Sequence, residues 1–343
     1  MSQTELAPDG KPFNLITLVN RQGTTATFCD WGATWFSCRI KVKHLFREVL
    51  LGGHSAQQYL AQQAYLGATI GRYANRIAQA KLDYQQKQYI LSANQAPHLL
   101  HGGVMGLDKR RWHIQEQHAH KVIFTIFSSD GDEGFPGNLS VKACYELDDN
   151  NQMHIDFTAT TDQATPVNLT NHAYFNLDGN VDSPNSDIKH HTLHVNADYY
   201  LPVDKDGIPL GSLITVEHDD MDLRHARKVG KNLLTSVSRQ LAGGYDHAYL
   251  LKQDGQMVAS LVSTDNLLAL HVFTSKPALQ VYTGNFLAGT PNRVGGYYQN
   301  YAGIALETQF LPDSPHHSDW PQPSCWLLPG ETYRHHTIYQ FDC

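Results

Sequence analysis

The sequence predicts an all-β protein, a large antiparallel β-sandwich with few short helices. Three observations carry that expectation. Apolar residues recur with a period of two, turn-forming clusters separate the recurrences, and the 3.6-residue period of amphipathic helices is scarce. Strands arranged this way, without crossover helices, belong to the sandwich class rather than to the βαβ class.

The elements follow in chain order. Residues 82–90 read as a polar hairpin. Residues 121–127 read as a strand. Leu139, Val141, Ala143, Tyr145 and Leu147 alternate with Ser140, Lys142 and Glu146, which marks a half-buried strand. Met153, Ile155, Phe157 and Ala159 repeat the pattern. Residues 248–252, 267–274, 278–283 and 302–307 are rich in aliphatic, aromatic and β-branched side chains and also read as strands. Asp130-Gly131-Asp132, Asp148-Asp149-Asn150-Asn151, Asp206-Gly207 and Asp254-Gly255 supply turns between them. Two stretches, 55–64 and 225–233, have helical patterning. No Gly/Ser-rich linker or low-complexity tract divides the chain, so residues 1–343 read as one domain.

Composition narrows the function classes. A net charge of −7 argues against a nucleic-acid partner or an anionic membrane, which need clustered Lys and Arg. No stretch approaches the about 20 apolar residues of a membrane helix, and residues 1–11 lack the basic and apolar regions of a signal peptide. The five cysteines (Cys29, Cys38, Cys144, Cys325, Cys343) are odd in number and form no C-x-x-C, as expected of free thiols in a reducing cytoplasm. Asn138 and Asn168 begin N-x-S/T sequons, but without a secretory signal these are coincidences.

Five segments carry polar residues where strands or plain turns are expected. In Gly71-Arg72-Tyr73-Ala74-Asn75-Arg76-Ile77-Ala78, two arginines follow an apolar run; their forked donors suit hydroxyls and carboxylates, or they are solvated in a surface loop. In Leu99-Leu100-His101-Gly102-Gly103, two glycines can bring backbone close to a ligand, or simply make a turn. His172 stands among Asn171, Tyr174 and Asn176 after a strand-like run, either as a proton-transfer residue or as a hydrogen-bonded core histidine. In Gly243-Gly244-Tyr245-Asp246-His247, Asp246 can accept from a substrate hydroxyl or cap its own turn. Glu307 ends an apolar strand; buried, it would need a partner or a use, and at an edge it would reach water.

Absent motifs matter as much. There is no G-x-G-x-x-G, P-loop, G-x-S-x-G or H-E-x-x-H. His190-His191 with His194 lies in a polar stretch beside Asp187 and Lys189, and imidazoles at that spacing fix no tetrahedral metal site. No cofactor and no metal are expected.

Taken together, the five segments resemble the aldose 1-epimerase (galactose mutarotase) family, and the resemblance runs nearly end to end. Asp30-Trp31-Gly32-Ala33-Thr34, Tyr199-Tyr200-Leu201-Pro202-Val203-Asp204, Gln280-Val281-Tyr282-Thr283-Gly284-Asn285-Phe286 and Leu328-Pro329-Gly330-Glu331-Thr332-Tyr333 match as well. Residues 44–46 and 292–300 depart from the pattern and are expected to be variable loops. The resemblance implies the mutarotase-like sandwich, with two sheets curved around an open sugar cleft. It implies Glu307 as general base and His172 as general acid. It implies Asn75, Arg76, His101, Asp246 and Gln280 as sugar-holding residues, with Tyr174 lining the cleft. The implied partner is a monosaccharide, taken by a cytoplasmic monomer or weak homodimer.

The residue types suit the chemistry. Exchanging the α and β anomers of a hexose such as galactose or glucose requires a proton taken from the C1 hydroxyl and one given to the ring oxygen. One base and one acid suffice. Arg76 and His101 can stabilise charge on the sugar oxygens, and Tyr174 or Phe175 can face the apolar side of the ring. Two rivals remain. A hexose-6-phosphate 1-epimerase would need a cationic pocket, for which Lys109-Arg110-Arg111 is the only candidate and reads as a solvated turn. A non-catalytic sugar-binding module would have no need of Glu307 and His172 together.

Overall fold

A computed structural model describes residues 5–179, 183 and 186–343. Two antiparallel sheets dominate it. Nine strands form the larger, in the order His113–Gln117, Lys121–Ser128, Leu139–Leu147, Gln152–Thr161, Tyr333–Asp342, Ala269–Thr274, Ala259–Val262, Thr192–Val195 and Arg227–Lys228. The C-terminal strand is thus fifth in the row, joining the halves of the sheet. The second sheet has six strands, in the order Tyr174–Phe175, Ile304–Gln309, Ala278–Tyr282, Asp246–Leu250, Tyr199–Leu201 and Ile214–Thr215. A four-stranded meander runs from Leu15–Val19 through Thr25–Cys29 and Thr34–Val42 to Leu45–Glu48.

Period-two patterning builds the core. In Leu139–Leu147 every second residue is buried, and the register to Gln152–Thr161 pairs Leu139 with Thr161 through Leu147 with Met153. The buried faces bring Phe28, Trp35, Tyr145, Phe175 and Tyr339 into one aromatic cluster, with Phe28 and Tyr145 ring centroids 4.5 Å apart and those of Phe175 and Tyr339 5.1 Å apart. Fully burying one such side chain contributes about 1.5–3 kcal/mol. The Tyr339 hydroxyl donates to the Leu306 carbonyl (2.7 Å), tying the nine-stranded sheet to the six-stranded one.

The six-stranded sheet is covered on both faces, and this positions the site. Ile304 and Leu306 join the main core, while Ala305 belongs to a smaller apolar cluster with Tyr174 on the opposite face. Leu279 and Val281 point with Leu306. Alternation therefore sends Gln280, Tyr282 and Glu307 to the other side. The register places Gln280 directly opposite Glu307, and Asp246 opposite Tyr282.

Two local expectations need correction. The helix expected over 225–233 is absent: Arg227–Lys228 pairs as a strand with Thr192 and Leu193, and Asn232 turns left-handed (φ 57°). Burial of Val229 and Leu233 in the core overrides the local pattern. A helix the sequence reading overlooked, Val237–Ala242, lies just beyond; Ser236 caps its start and Gly243 its end. The other helix, Ala56–Ala61, falls inside 55–64, with the Ser55 hydroxyl accepting from Gln58 N–H. Residues 81–90 do form a hairpin. Leu45 and Phe46 open a strand rather than sit in a loop, because they pair with Val42 and Lys41. No helix among the described residues is long and apolar enough to cross a membrane.

Candidate active site

An open cleft of about 1060 Å³ lies over the outward face of the six-stranded sheet. All eight residues singled out from the sequence line it: Asn75, Arg76, His101, His172, Tyr174, Asp246, Gln280 and Glu307. They come from separate parts of the chain, so the sheet register and the loops, not sequence proximity, assemble them.

Glu307 is the fourth residue of Ile304–Gln309, not the end of its strand, and only 2% of it is exposed. The edge reading fails because its strand lies between Tyr174–Phe175 and Ala278–Tyr282 and the residue is buried. His172 follows the short strand Thr170–Asn171, whose pairing with Thr69–Ile70 fixes its backbone. Its N–H donates to Ala68 C=O and its C=O accepts from Gly67 N–H, both at 2.9 Å. The ring stacks on Tyr174 (centroids 4.9 Å apart) and, more distantly, on Tyr65 (5.9 Å), and meets His101 edge-on. His172 Nε2 stands 3.5 Å from Glu307 Oε1. Acid and base candidates are therefore side by side, with the cleft open before both.

The surrounding polar groups are held in place from behind. Gln280 Nε2 donates to Asp246 Oδ1 at 2.6 Å, so Asp246 faces a neighbouring strand rather than capping its own turn. Asn75, left-handed at φ 66°, donates its N–H to His101 Nδ1 (3.1 Å) and accepts the His101 N–H at its carbonyl (3.0 Å). Gly102 makes this crossing possible: at φ 87°, a Cβ there would lie 2.0 Å from the Gly71 carbonyl oxygen. Several buried polar atoms have no hydrogen-bond partner among the described residues, including Glu307 Oε2, His172 Nδ1 and Gln280 Oε1. Orphaned groups of this kind cost about 1–3 kcal/mol each. Concentrated at a cleft, they mark a place where a polar ligand completes the hydrogen bonding.

Electrostatics follow from burial. Glu307 is pushed well above the ordinary carboxylate range by burial, with Asp246 adding to the shift and Arg76 opposing it. Burial pushes His172 down to about 4. Burial also holds His101 well below the usual histidine value, with Arg76, Lys109 and any proton taken up by His172 adding to the shift. Burial thus favours the neutral forms, in which the Glu307–His172 pair holds one proton.

His101, His172 and Glu307 each offer a ligand atom within 4.8 Å of the others. The hydrogen bonding runs against a metal. His101 Nδ1 accepts an amide N–H, so its proton sits on Nε2, which becomes a donor rather than a ligand. The stretch with His190, His191 and His194 is not a metal cluster either: His191 is buried, and its Nε2 accepts from Leu177 N–H.

Other expectations shift. Arg72 is not solvated but buried. Phe175 does not face the cleft; it lies in the core against Trp35 and Tyr339, because its neighbour Tyr174 takes the outward position. Arg110 pairs with Asp132, Arg111 with Asp9 and Asp30, and Lys109 donates to the Val104 carbonyl; none of the three lines the cleft. The basic run is thus a paired surface segment rather than a solvated turn. Tyr65, Gln95, His98, Tyr282 and Phe286 also line the cleft and were not singled out from sequence. Tyr282 could have been found by stepping two residues from Gln280; the others had no such signal.

The aldose 1-epimerase family model matches residues 14–340. The chain belongs to the aldose 1-epimerase family. It is an isomerase that interconverts the α and β anomers of a sugar, and its substrate is a monosaccharide. The aldose 1-epimerase of Escherichia coli K12 is 49% identical over 340 residues, covering 98% of this chain and 97% of that one. The human galactose mutarotase is 39% identical over 316 residues, with 91% and 89% covered. A crystal structure of an aldose epimerase homologue from C. elegans superposes with a TM-score of 0.88 at 29% identity, covering 96% of this chain and 99% of that one.

Proposed function

We propose that this epimerase acts on free hexoses such as D-galactose and D-glucose, with Glu307 as base and His172 as acid. The observation that carries the reading is the juxtaposition of these two buried groups, 3.5 Å apart, with Glu307 Oε2 lacking a partner among the described residues in an open cleft. The two oxygens on C1 of a pyranose share one carbon, so neighbouring groups can serve one each.

The steps balance without a cofactor. The C1 hydroxyl donates to Glu307 Oε2, which favours the carboxylate and leaves the shared proton on His172. Glu307 takes the hydroxyl proton, the C1–O5 bond breaks, and its electron pair goes to O5, which receives the His172 proton. The aldehyde turns about C1–C2. O5 then attacks the other face, returning its proton to His172, while the carbonyl oxygen recovers its proton from Glu307. Nothing is oxidised or reduced, and the enzyme ends in its starting protonation state.

Asn75, Arg76, His101, Asp246 and Gln280 supply donors and acceptors for the remaining hydroxyls, and Tyr174 an aromatic wall. Arg76 and the His101 Nε2–H lie where charge on the sugar oxygens can be met. The phosphosugar and binding-module readings are not favoured: Lys109, Arg110 and Arg111 lie away from the cleft, and both the acid and the base candidates are present.

The test is polarimetry on freshly dissolved α-D-galactose and α-D-glucose. Wild type should speed relaxation to the anomeric equilibrium, and His172→Asn should lose about 10²–10⁴-fold of that rate. No acceleration of either sugar by folded wild type would overturn the reading.

A further inference from the structure

Arg76 differs from most arginines of this chain. It lines the cleft, is half-buried, and has no carboxylate within ion-pair distance among the described residues. Its one side-chain hydrogen bond among them runs from Nε to Gln95 Oε1, at 2.8 Å. Both Nη atoms remain available to a ligand.

The anchor is fastened to the element it steadies. Arg76–Ile77 pairs with Leu99–Leu100, Arg76 opposite Leu100. Asn94 bonds the Leu100 backbone twice, through Oδ1 to N–H (2.7 Å) and Nδ2 to C=O (2.9 Å). Gln95 and His98 exchange backbone hydrogen bonds at 2.8 and 3.1 Å. Gln95 thus projects from a closed turn bonded to the same two-stranded ribbon that carries Arg76.

The opposite side of the guanidinium meets a distant turn. Gly207 is left-handed (φ 78°), and a Cβ there would lie 2.6 Å from Arg76 Cζ, 2.7 Å from Nη1 and 2.8 Å from Nε. That turn is itself well defined: Asp204 Oδ1 accepts from Asp206 and Ile208 N–H (both 2.9 Å), and the Asp204 carbonyl accepts from Gly207 N–H (3.1 Å). No side chain larger than hydrogen fits at 207 with Arg76 where it is.

We propose that Gln95 and Gly207 are positioning residues for Arg76: Gln95 fixes its Nε, and Gly207 leaves the space its guanidinium occupies, so that both Nη groups face the sugar. This rests on the mutarotase reading of the cleft and adds two residues that never touch the reacting atoms. A preset guanidinium loses little freedom on binding, so the gain falls on sugar affinity. Its charge also acts on Glu307, lowering its proton affinity. The titratable groups facing Glu307 and His172 are Asp246, Arg76, His101, Tyr65, Tyr174, Tyr282 and, from the core side, Tyr339. Arg76 is the one permanent cation among them.

The experiment is steady-state mutarotation of α-D-galactose by the full chain, across pH, for Gln95→Met, Gln95→Glu and Gly207→Ala. Gln95→Met cannot accept the Nε–H. It should raise KM about 3–10-fold with kcat within about 2-fold, and move the alkaline limb of the pH profile upward, since a displaced cation makes the Glu307 proton easier to hold. Gln95→Glu keeps an acceptor and should restore KM. In an Arg76→Met background, Gln95→Met should add nothing. Equal effects of Gln95→Met in both backgrounds, or a wild-type KM with an unmoved alkaline limb, would overturn the proposal. If Gly207→Ala fails to fold, the Gln95 cycle decides alone; Gln95 is exposed, so its variants should melt like wild type. Failure of wild type to accelerate mutarotation would instead sink the functional reading itself.

Discussion

Arg72 and Arg76 stand four residues apart in one motif and do opposite work. Arg72 is 2% exposed and spends all its donors: Nε on Ser128 Oγ, Nη1 on the Pro136 and Gly137 carbonyls, Nη2 on those of Ser128 and Ser129. Its charge is buried, which pushes it down to about 10. Arg76 spends one donor on Gln95 and keeps the others toward the cleft. A saturated arginine holds structure together; an unsaturated one in a cleft waits for a ligand. The same contrast separates Asn176, which bonds Ser186 and the Ala302 carbonyl, from Glu307 and Gln280 with their orphaned oxygens.

The sharpest way to break this contrast is to remove each arginine. Arg72→Met leaves four carbonyls and a hydroxyl without their donor, and should cost about 3–5 kcal/mol of stability, read as a lower melting temperature. Arg76→Met should leave stability within about 0.5 kcal/mol while kcat/KM for galactose falls about 10–100-fold. Comparable losses of stability in both variants would erase the distinction.

A smaller effect tests the electrostatics. The wild-type pH profile should be bell-shaped. On the acid side the pair takes a second proton, and because burial lowers His172 this limb should fall below the ordinary histidine value of about 6.5. On the alkaline side the pair loses its one proton, and because burial raises Glu307 this limb lies above the carboxylate range. Asp246→Asn removes a negative neighbour and should move the alkaline limb down; Arg76→Met should move it up. Shifts of the same sign in both variants would contradict the assignment. Smallest of all, Lys109→Ala should leave kcat/KM within about 2-fold, and galactose 6-phosphate should compete no better than galactose.

Much of this architecture was readable in advance, for a physical reason. A strand buried on one face must alternate, so Leu139–Leu147 was evident to the residue. What alternation cannot supply is register. It could not say that Tyr174 rather than Phe175 faces the cleft, or that Asp246 begins its strand instead of ending a turn. Nor could it separate Arg72 from Arg76, since what saturates Arg72 are partners more than fifty residues away. The failed helix at 225–233 has the same origin: pairing with Thr192 and Leu193 is a tertiary fact. The cleft residues of the resemblance came together because each motif carries its own turn or strand, whereas Tyr65 and Gln95 sit in plain loops that advertise nothing.

The most direct measurement takes Glu307→Gln, which keeps the shape of the side chain and removes its basicity. Polarimetric relaxation of α-D-galactose and the thermal melt should be read on the same preparation. Mutarotation should fall about 10²–10⁴-fold while the melting temperature holds or rises, because a buried carboxylate whose Oε2 is left unsatisfied serves the reaction and not the fold. Retained activity, or activity lost only together with the folded state, would contradict Glu307 as the base.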